Sequence, residues 1–251
     1  LNPDAWIALL TLTFLEIVLG IDNIIFISIA TGKLPAEKRK RATKIGMFLA
    51  MFMRIALLFG INLLIQMKEP WFHIDFSWFS AGVTGQSVIL LLGGLFLIYK
   101  STNEIREKVD ERGEEEKEIK EAATRSFQNV ILQIIMIDIV FSFDSILTAV
   151  GMTNGVEGAL YIMITAVVIS VFIMMQFAVP VGTFVNKHPS IQILGLAFLI
   201  LIGMMLLTES AHLSDALIFG NHVTPLPKGY LYFAITFSLV VEMINMKIKK
   251  K

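Results

Sequence analysis

The sequence predicts an all-α integral membrane protein with seven transmembrane helices. Three observations carry that prediction. First, 55% of the 251 residues are hydrophobic and only 17% are charged, against about 25% charged in a soluble domain, and the mean hydropathy is +0.73. Second, apolar segments of about twenty residues, the length that crosses a bilayer, fill most of the chain. Third, the basic residues alternate in the way seven spans require.

The apolar segments run over residues 6–31, 45–67, 83–100, 126–151, 158–179, 190–208 and 229–246. Leu1–Ala5 has no basic segment and the first span contains acids, a poor fit to a cleaved signal peptide. The first connection carries six basic residues, Lys33 to Lys44, and the third carries seven, Lys100 to Arg125. With Lys187 and the tail residues Lys247, Lys249, Lys250 and Lys251, eighteen of the 21 Lys and Arg fall on one side. Lys and Arg concentrate on the cytoplasmic side, so the N-terminus is expected outside and the C-terminus in the cytoplasm. A single missed helix would scramble this alternation.

The composition excludes disorder and collagen and argues against a nucleic-acid partner. The absence of cysteine removes disulfides, thiolate nucleophiles, iron–sulfur clusters and cysteine zinc sites. Ser101–Thr124 is the long polar stretch, with nine acids among its basic residues and i,i+4 pairs such as Glu104–Lys108 and Glu116–Lys120. It reads as a solvated helical linker. Lys38-Arg39-Lys40-Arg41 reads as a topology and headgroup anchor.

An internal repeat organises the spans. Leu15-Glu16-Ile17-Val18-Leu19-Gly20-Ile21-Asp22-Asn23-Ile24 matches Ile137-Asp138-Ile139-Val140-Phe141-Ser142-Phe143-Asp144-Ser145-Ile146 at an offset of 122 residues. Leu92–Ile98 resembles Leu194–Ile200 at an offset of 102. The unit is three helices, an odd number, so the second copy enters the membrane inverted, as in many secondary transporters. The expected organisation is a first three-helix repeat (1–100), a charged cytoplasmic linker (101–125), a second repeat (126–208), and an outer loop with the seventh helix and basic tail (209–251).

Glu16 and Asp22 lie mid-span in the first helix, and Asp138 and Asp144 mid-span in the fourth. Ionisable groups at that depth cost a few kcal/mol each and mark function. Arg54, the base within the spans, is a candidate counter-ion, or else a partner of Gln66 or of helix carbonyls. Acids six residues apart sit about 120° apart on a regular helix, whereas Glu16 with Asn23, and Asp138 with Ser145, nearly coincide. Convergence of both acids of a pair would need an unwound helix, with the break near Gly20 and Ser142. The candidate metal ligands are Glu16, Asp22, Asn23, Asp138, Asp144 and Ser145, at the interface of the repeats. An all-oxygen set suits Mg²⁺, Ca²⁺ or Mn²⁺. The four histidines, His73, His188, His212 and His222, lie in connections, so a zinc or copper site does not fit. Met136, near Asp138, reads as filler, with a soft contact for Mn²⁺ as the sharper alternative. Glu242 reads as a snorkelling acid near the cytoplasmic end, and Glu209 as an outer-surface residue.

The two acidic motifs, Phe14–Asn23 and Asp138–Ile146, resemble the paired signatures of the TerC family of integral membrane proteins. Gly93-Gly94 through Lys100, and Pro227-Lys228-Gly229-Tyr230 through Glu242 and Asn245, also read like this family, so the resemblance covers nearly the whole chain. It implies a seven-helix bacterial inner-membrane protein of the lysine-exporter superfamily. It further implies an association with manganese export, with metal supply to secreted enzymes, or with tellurite resistance. The family's acidic motif positions correspond to Glu16, Asp22, Asp138 and Asp144. The short form is expected, without an appended cystathionine-β-synthase cytoplasmic domain.

The leading expectation is therefore a non-enzymatic exporter of Mn²⁺, with Ca²⁺ or Mg²⁺ open and proton exchange as a conceivable coupling. A metal-delivery partner for exported metalloproteins, working with secreted proteins or the translocon, shares the same site. A metal-dependent membrane enzyme fits less well, because the acids lie at mid-bilayer and no phosphotransferase motif is present. A rhodopsin-like photoreceptor fails for want of a lysine inside the seventh span. The partners expected are a divalent ion and the lipid bilayer, with homo-oligomerisation open.

Overall fold

A backbone that crosses lipid must satisfy every N–H and C=O within itself, which leaves helices or closed barrels. The computed structural model of the chain describes residues 3–110, 127–153 and 155–249, with the side chains at 21, 22, 62, 110 and 249 outside that description. In chain order, α1 is Pro3–Gly32, α2 Ala36–Phe59, α3 Ile61–Gln66 and α4 Gly85–Asp110. They are followed by α5 Phe127–Met152, α6 Ala159–Lys187, α7 Pro189–Leu213 and α8 Lys228–Lys249. Among the described residues, all of these except the short α3 are long and apolar enough to cross a membrane, seven in total. The all-α membrane architecture expected from hydropathy is the one observed.

Several boundaries differ from the sequence reading: α2 begins at Ala36 rather than 45, α7 ends at Leu213 rather than 208, and three further differences change the reading. The second span is cut at Gly60, whose N–H closes α2 on the Ala56 carbonyl at 3.1 Å. The fifth span does not stop at residue 179: α6 runs through Pro180 to Lys187. A proline removes one ladder donor, and membrane helices tolerate that loss where neighbours shelter the freed carbonyl. The third span passes residue 100 without a break, so the start of the polar stretch continues α4. This part is helical with Thr102, Arg106 and Val109 exposed, but Glu104 is buried at 1% exposure and pairs with Lys100 at 2.9 Å. The remainder, 111–126, with the pair Glu116–Lys120, lies outside the described residues.

The chain divides into two compact units that cut across the sequence halves. The first takes α1 and α2 from one half and α5 and α6 from the other. Here α1 and α6 lie side by side and parallel. An added Cβ at Gly20 would overlap Met174 Sδ, one at Gly182 would lie 3.0 Å from Ser28 Oγ, and one at Gly32 would overlap Asn186 Oδ1. The pairs 20/174, 28/182 and 32/186 share one offset, so the two helices advance in register. Small residues four apart, Ser28 and Gly32 on α1 with Ala178 and Gly182 on α6, let the backbones approach, the usual seam between membrane helices. Across the unit, Gly46 of α2 admits the side chain of Ile134 on α5.

The second unit contains α4, α7 and α8. In it α4 and α7 cross antiparallel at a reciprocal glycine contact. A Cβ on Gly94 would lie 2.7 Å from the Gly203 carbonyl oxygen, and one on Gly203 would lie 2.8 Å from that of Gly94. Seven residues further along, Ser210 Oγ donates to the Ser87 carbonyl at 2.6 Å.

The connections between α3 and α4 and between α7 and α8 form a small antiparallel sheet in the second unit. It comprises β1 (Pro70–Asp75), β2 (Phe79–Thr84), β3 (Leu217–Ile218) and β4 (Asn221–His222), in the order β1-β2-β3-β4. Ser80 pairs with Leu217 and Phe79 with Ile218, so the second and sixth connections lie on one side. The β3–β4 turn is Phe219-Gly220 with φ of 49° and 78°, the double left-handed form that matches strand twist. The strand β1 begins four residues after α3 ends, and β2 runs directly into α4. Trp71, Phe72, Phe76, Trp78 and Phe219 are exposed on this sheet.

Two outcomes are expected. Gly94→Val drives a branched side chain into backbone and lowers unfolding stability by about 1–3 kcal/mol or more, measured by denaturant unfolding in micelles, whereas Gly229→Ala, with open space around it, leaves it unchanged. Tethered at the helix ends, the aromatic sheet is expected at lipid-headgroup depth, where Trp is enriched. In a Trp6→Phe protein, whose remaining tryptophans are Trp71 and Trp78, brominated lipid should quench emission; quenching by aqueous iodide alone would mean the sheet stands clear of the bilayer.

Candidate intramembrane charge site

Glu16 lies about 20 Å along α1, and Asp138 about 17 Å along α5, at 1.5 Å per residue. Each is therefore central to a span. Both are buried, as is Arg54 of α2, with 5%, 5% and 4% exposure respectively. All three belong to the first compact unit.

Arg54 stands between the acids. Its Nη1 donates to Glu16 Oε2 at 2.6 Å. Its Nη2 donates to Asp138 Oδ1 at 2.6 Å, and its Nε lies 3.2 Å from both Asp138 oxygens. The planar fork of guanidinium suits this arrangement, which a lysine could not reproduce. Asn23 Nδ2 adds a donor to Asp138 Oδ1 at 3.3 Å, and Ser142 Oγ one to Oδ2 at 3.1 Å. Asp138 thus collects donors from three helices. Asn23 Oδ1 is buried and has no hydrogen-bond partner.

The sequence reasoning meets this geometry unevenly. Glu16 and Asp138, the first acids of the two motifs, come together. Asn23 joins them, as its seven-residue spacing from Glu16 requires. Arg54 binds the acids rather than Gln66 or helix carbonyls. The expected breaks do not occur: α1 and α5 run unbroken through Gly20 and Ser142. Gly20 instead makes room for Met174, and Ser142, one turn after Asp138, aims its hydroxyl back at that carboxylate. Ser142 was therefore missed as a polar participant; its i,i+4 position was the available signal. Ser145 turns to its own helix and donates to the Ser142 carbonyl at 3.2 Å. Asp144 is half-buried, and its carbonyl accepts from Thr148 Oγ1 at 3.0 Å. Asp22 lies in α1 with its side chain outside the description. Among the described residues no three acids or histidines are grouped to hold a metal. His212 closes the last turn of α7 rather than lying in a loop.

Two buried carboxylates converging on one arginine from separate helices are paired with a family model that spans the chain. The Integral membrane protein TerC family model matches residues 1–251. The chain belongs to the TerC family. Its relatives include the UPF0053 inner membrane protein YgdQ of Escherichia coli K12, 47% identical over 250 residues, covering 100% of this chain and 96% of that protein. A UPF0053 protein of Haemophilus influenzae is 45% identical over 249 residues, with 99% and 96% covered. The UPF0053 inner membrane protein YoaE of Escherichia coli K12 is 42% identical over 246 residues, 98% of this chain but 43% of that longer protein. No solved structure matches. The TerC family chain is thus an integral membrane protein, and none of these relatives is named as an enzyme.

Arg54→Leu would leave two buried carboxylates without their cation. Removing one partner of a buried ion pair costs about 3–5 kcal/mol. The single variant should lose stability of that order in denaturant unfolding. The neutral triple variant Glu16→Gln, Arg54→Leu, Asp138→Asn should recover most of it, since no isolated charge remains.

Proposed function

We propose that this protein exports a hard divalent cation, Mn²⁺ foremost, across the bacterial inner membrane. The observation that supports the reading most is the meeting of Glu16 and Asp138 in the middle of two spans, beside the uncommitted Asn23 Oδ1. Buried ionisable groups in membrane helices mark ion and proton paths. Carboxylate and amide oxygens are the donors that hard cations take. Glu16 and Asp138 form the core of the ion seat and Asn23 supplies a neutral oxygen. Asp22, Asp144 and Ser145 complete the seat in the loaded form. The two halves act as inverted repeats, so that the seat opens to one side and then the other. The outer acids of the seat, Asp22 and Asp144, take up protons as the ion departs, which gives an exchange cycle. The N-terminus lies outside and the C-terminus in the cytoplasm, as the basic connections favour.

Flux into proteoliposomes, run with Mn²⁺, Mg²⁺, Ca²⁺ and Zn²⁺ and an internal pH dye, tests the reading. Mn²⁺ should move with opposite proton movement, and Asp22→Asn, Asp138→Asn and Asp144→Asn should each reduce it to the rate of protein-free liposomes. Mn²⁺ binding without any ion movement would overturn export and leave the site to a metal-delivery partner of exported proteins.

A further inference from the structure

The geometry points to Arg54 as a resident cation that occupies the ion's own seat, so that the transported ion and the guanidinium compete for Glu16 and Asp138. This rests on the transport reading and adds a competitor to it.

The donor inventory of Asp138 carries the argument. Oδ1 accepts from Arg54 Nη2 at 2.6 Å and from Asn23 Nδ2 at 3.3 Å, and Oδ2 from Ser142 Oγ at 3.1 Å, with Arg54 Nε 3.2 Å from each oxygen. Glu16 Oε2 holds Arg54 Nη1 at 2.6 Å. A cation cannot ligate either acid through these atoms while the guanidinium holds them. Neither can the acids stand empty, because an unpaired carboxylate in this medium is expensive. Arg54 therefore closes the seat when no ion is present, and the arriving ion must push it off both acids. When the ion leaves, Arg54 returns and the carboxylates are never left bare. One arginine serves the first acid of both motifs; among the described residues of α6 there is no base before Lys187. The fork on Asp138 against a single bond on Glu16 makes Glu16 the easier grip to lose.

A built-in competitor lowers apparent affinity by the fraction of time the seat is free. Its removal should tighten ion binding and at the same time slow release. The test compares the parent, Arg54→Gln and Arg54→Lys, purified in micelles, by Mn²⁺-induced shifts of thermal unfolding, and in liposomes by Mn²⁺ flux. Arg54→Gln should bind Mn²⁺ roughly tenfold more tightly, a coupling of ordinary allosteric size, gain more thermal stability from Mn²⁺ than the parent, and turn over more slowly. Arg54→Lys, which keeps the charge but not the fork, should fall between. A folded Arg54→Gln that binds Mn²⁺ no more tightly than the parent overturns the competition and leaves transport standing. A parent that neither binds nor moves Mn²⁺ overturns the transport reading and this inference with it.

A second measurement does not depend on an Arg54 variant folding. The parent carrying isotope-labelled arginine is compared by infrared difference spectroscopy with and without Mn²⁺. The guanidinium bands of a buried ion pair should shift when Arg54 is displaced, and the shift should be absent in Asp138→Asn. Labelled bands that stay in place while Mn²⁺ binds overturn the inference.

Discussion

Holding buried charge without water is the constraint on which the interior of the first unit depends. Two carboxylates at mid-span have no solvent to share their charge, and the strength of any interaction there rises as the local dielectric falls. One guanidinium answers both. For Arg54 to reach Glu16 and Asp138 together, α1, α2 and α5 must meet at a single level. Ser142 and Asn23 then complete the shell of donors around Asp138. Packing elsewhere in the unit must hold those three helices at that level.

The small-residue seams do this. Gly20 lies between Glu16 and Asn23 in sequence and admits Met174 of α6. Further along α1, Ser28 and Gly32 lock the same helix to Gly182 and Asn186. With α1 held in register by α6, the face bearing Glu16 and Asn23 is turned toward α2 and α5. Lipid supplies no hydrophobic drive for association, so close backbone approach and van der Waals contact carry the packing. Gly46 performs the same service between α2 and Ile134 of α5.

How much of this could be read from residues alone follows from the kind of constraint. The spans were legible because a bilayer imposes a length and an apolar composition, and both are local. The common face of Glu16 and Asn23 on α1 was legible because seven residues nearly complete two turns. The meeting of Glu16 and Asp138 was suggested by the repeat. Helix continuity was misjudged because Gly20 reads equally as a breaker and as a contact surface, and Met174, which decides between them, is far away in sequence. The sheet was hidden for a similar reason. The strand β1 carries Trp71 and Phe72 on exposed positions, and Phe219 at positive φ replaces the Asn or Asp that usually announces such a turn. Glu104 looked solvated among its charged neighbours, yet α4 carries it into a buried position beside Lys100.

The placement of Arg54 on α2 has a consequence for biogenesis. Helices enter the membrane in the order of synthesis. Glu16, on the first helix, finds its cation on the very next one, 38 residues later. The first hairpin can therefore shed its buried charge before the rest of the chain has been made. Asp138 arrives after a further 84 residues and meets an arginine whose fork still has donors to spare. A base on α6 in place of Arg54 would have left both acids waiting in lipid for most of translation.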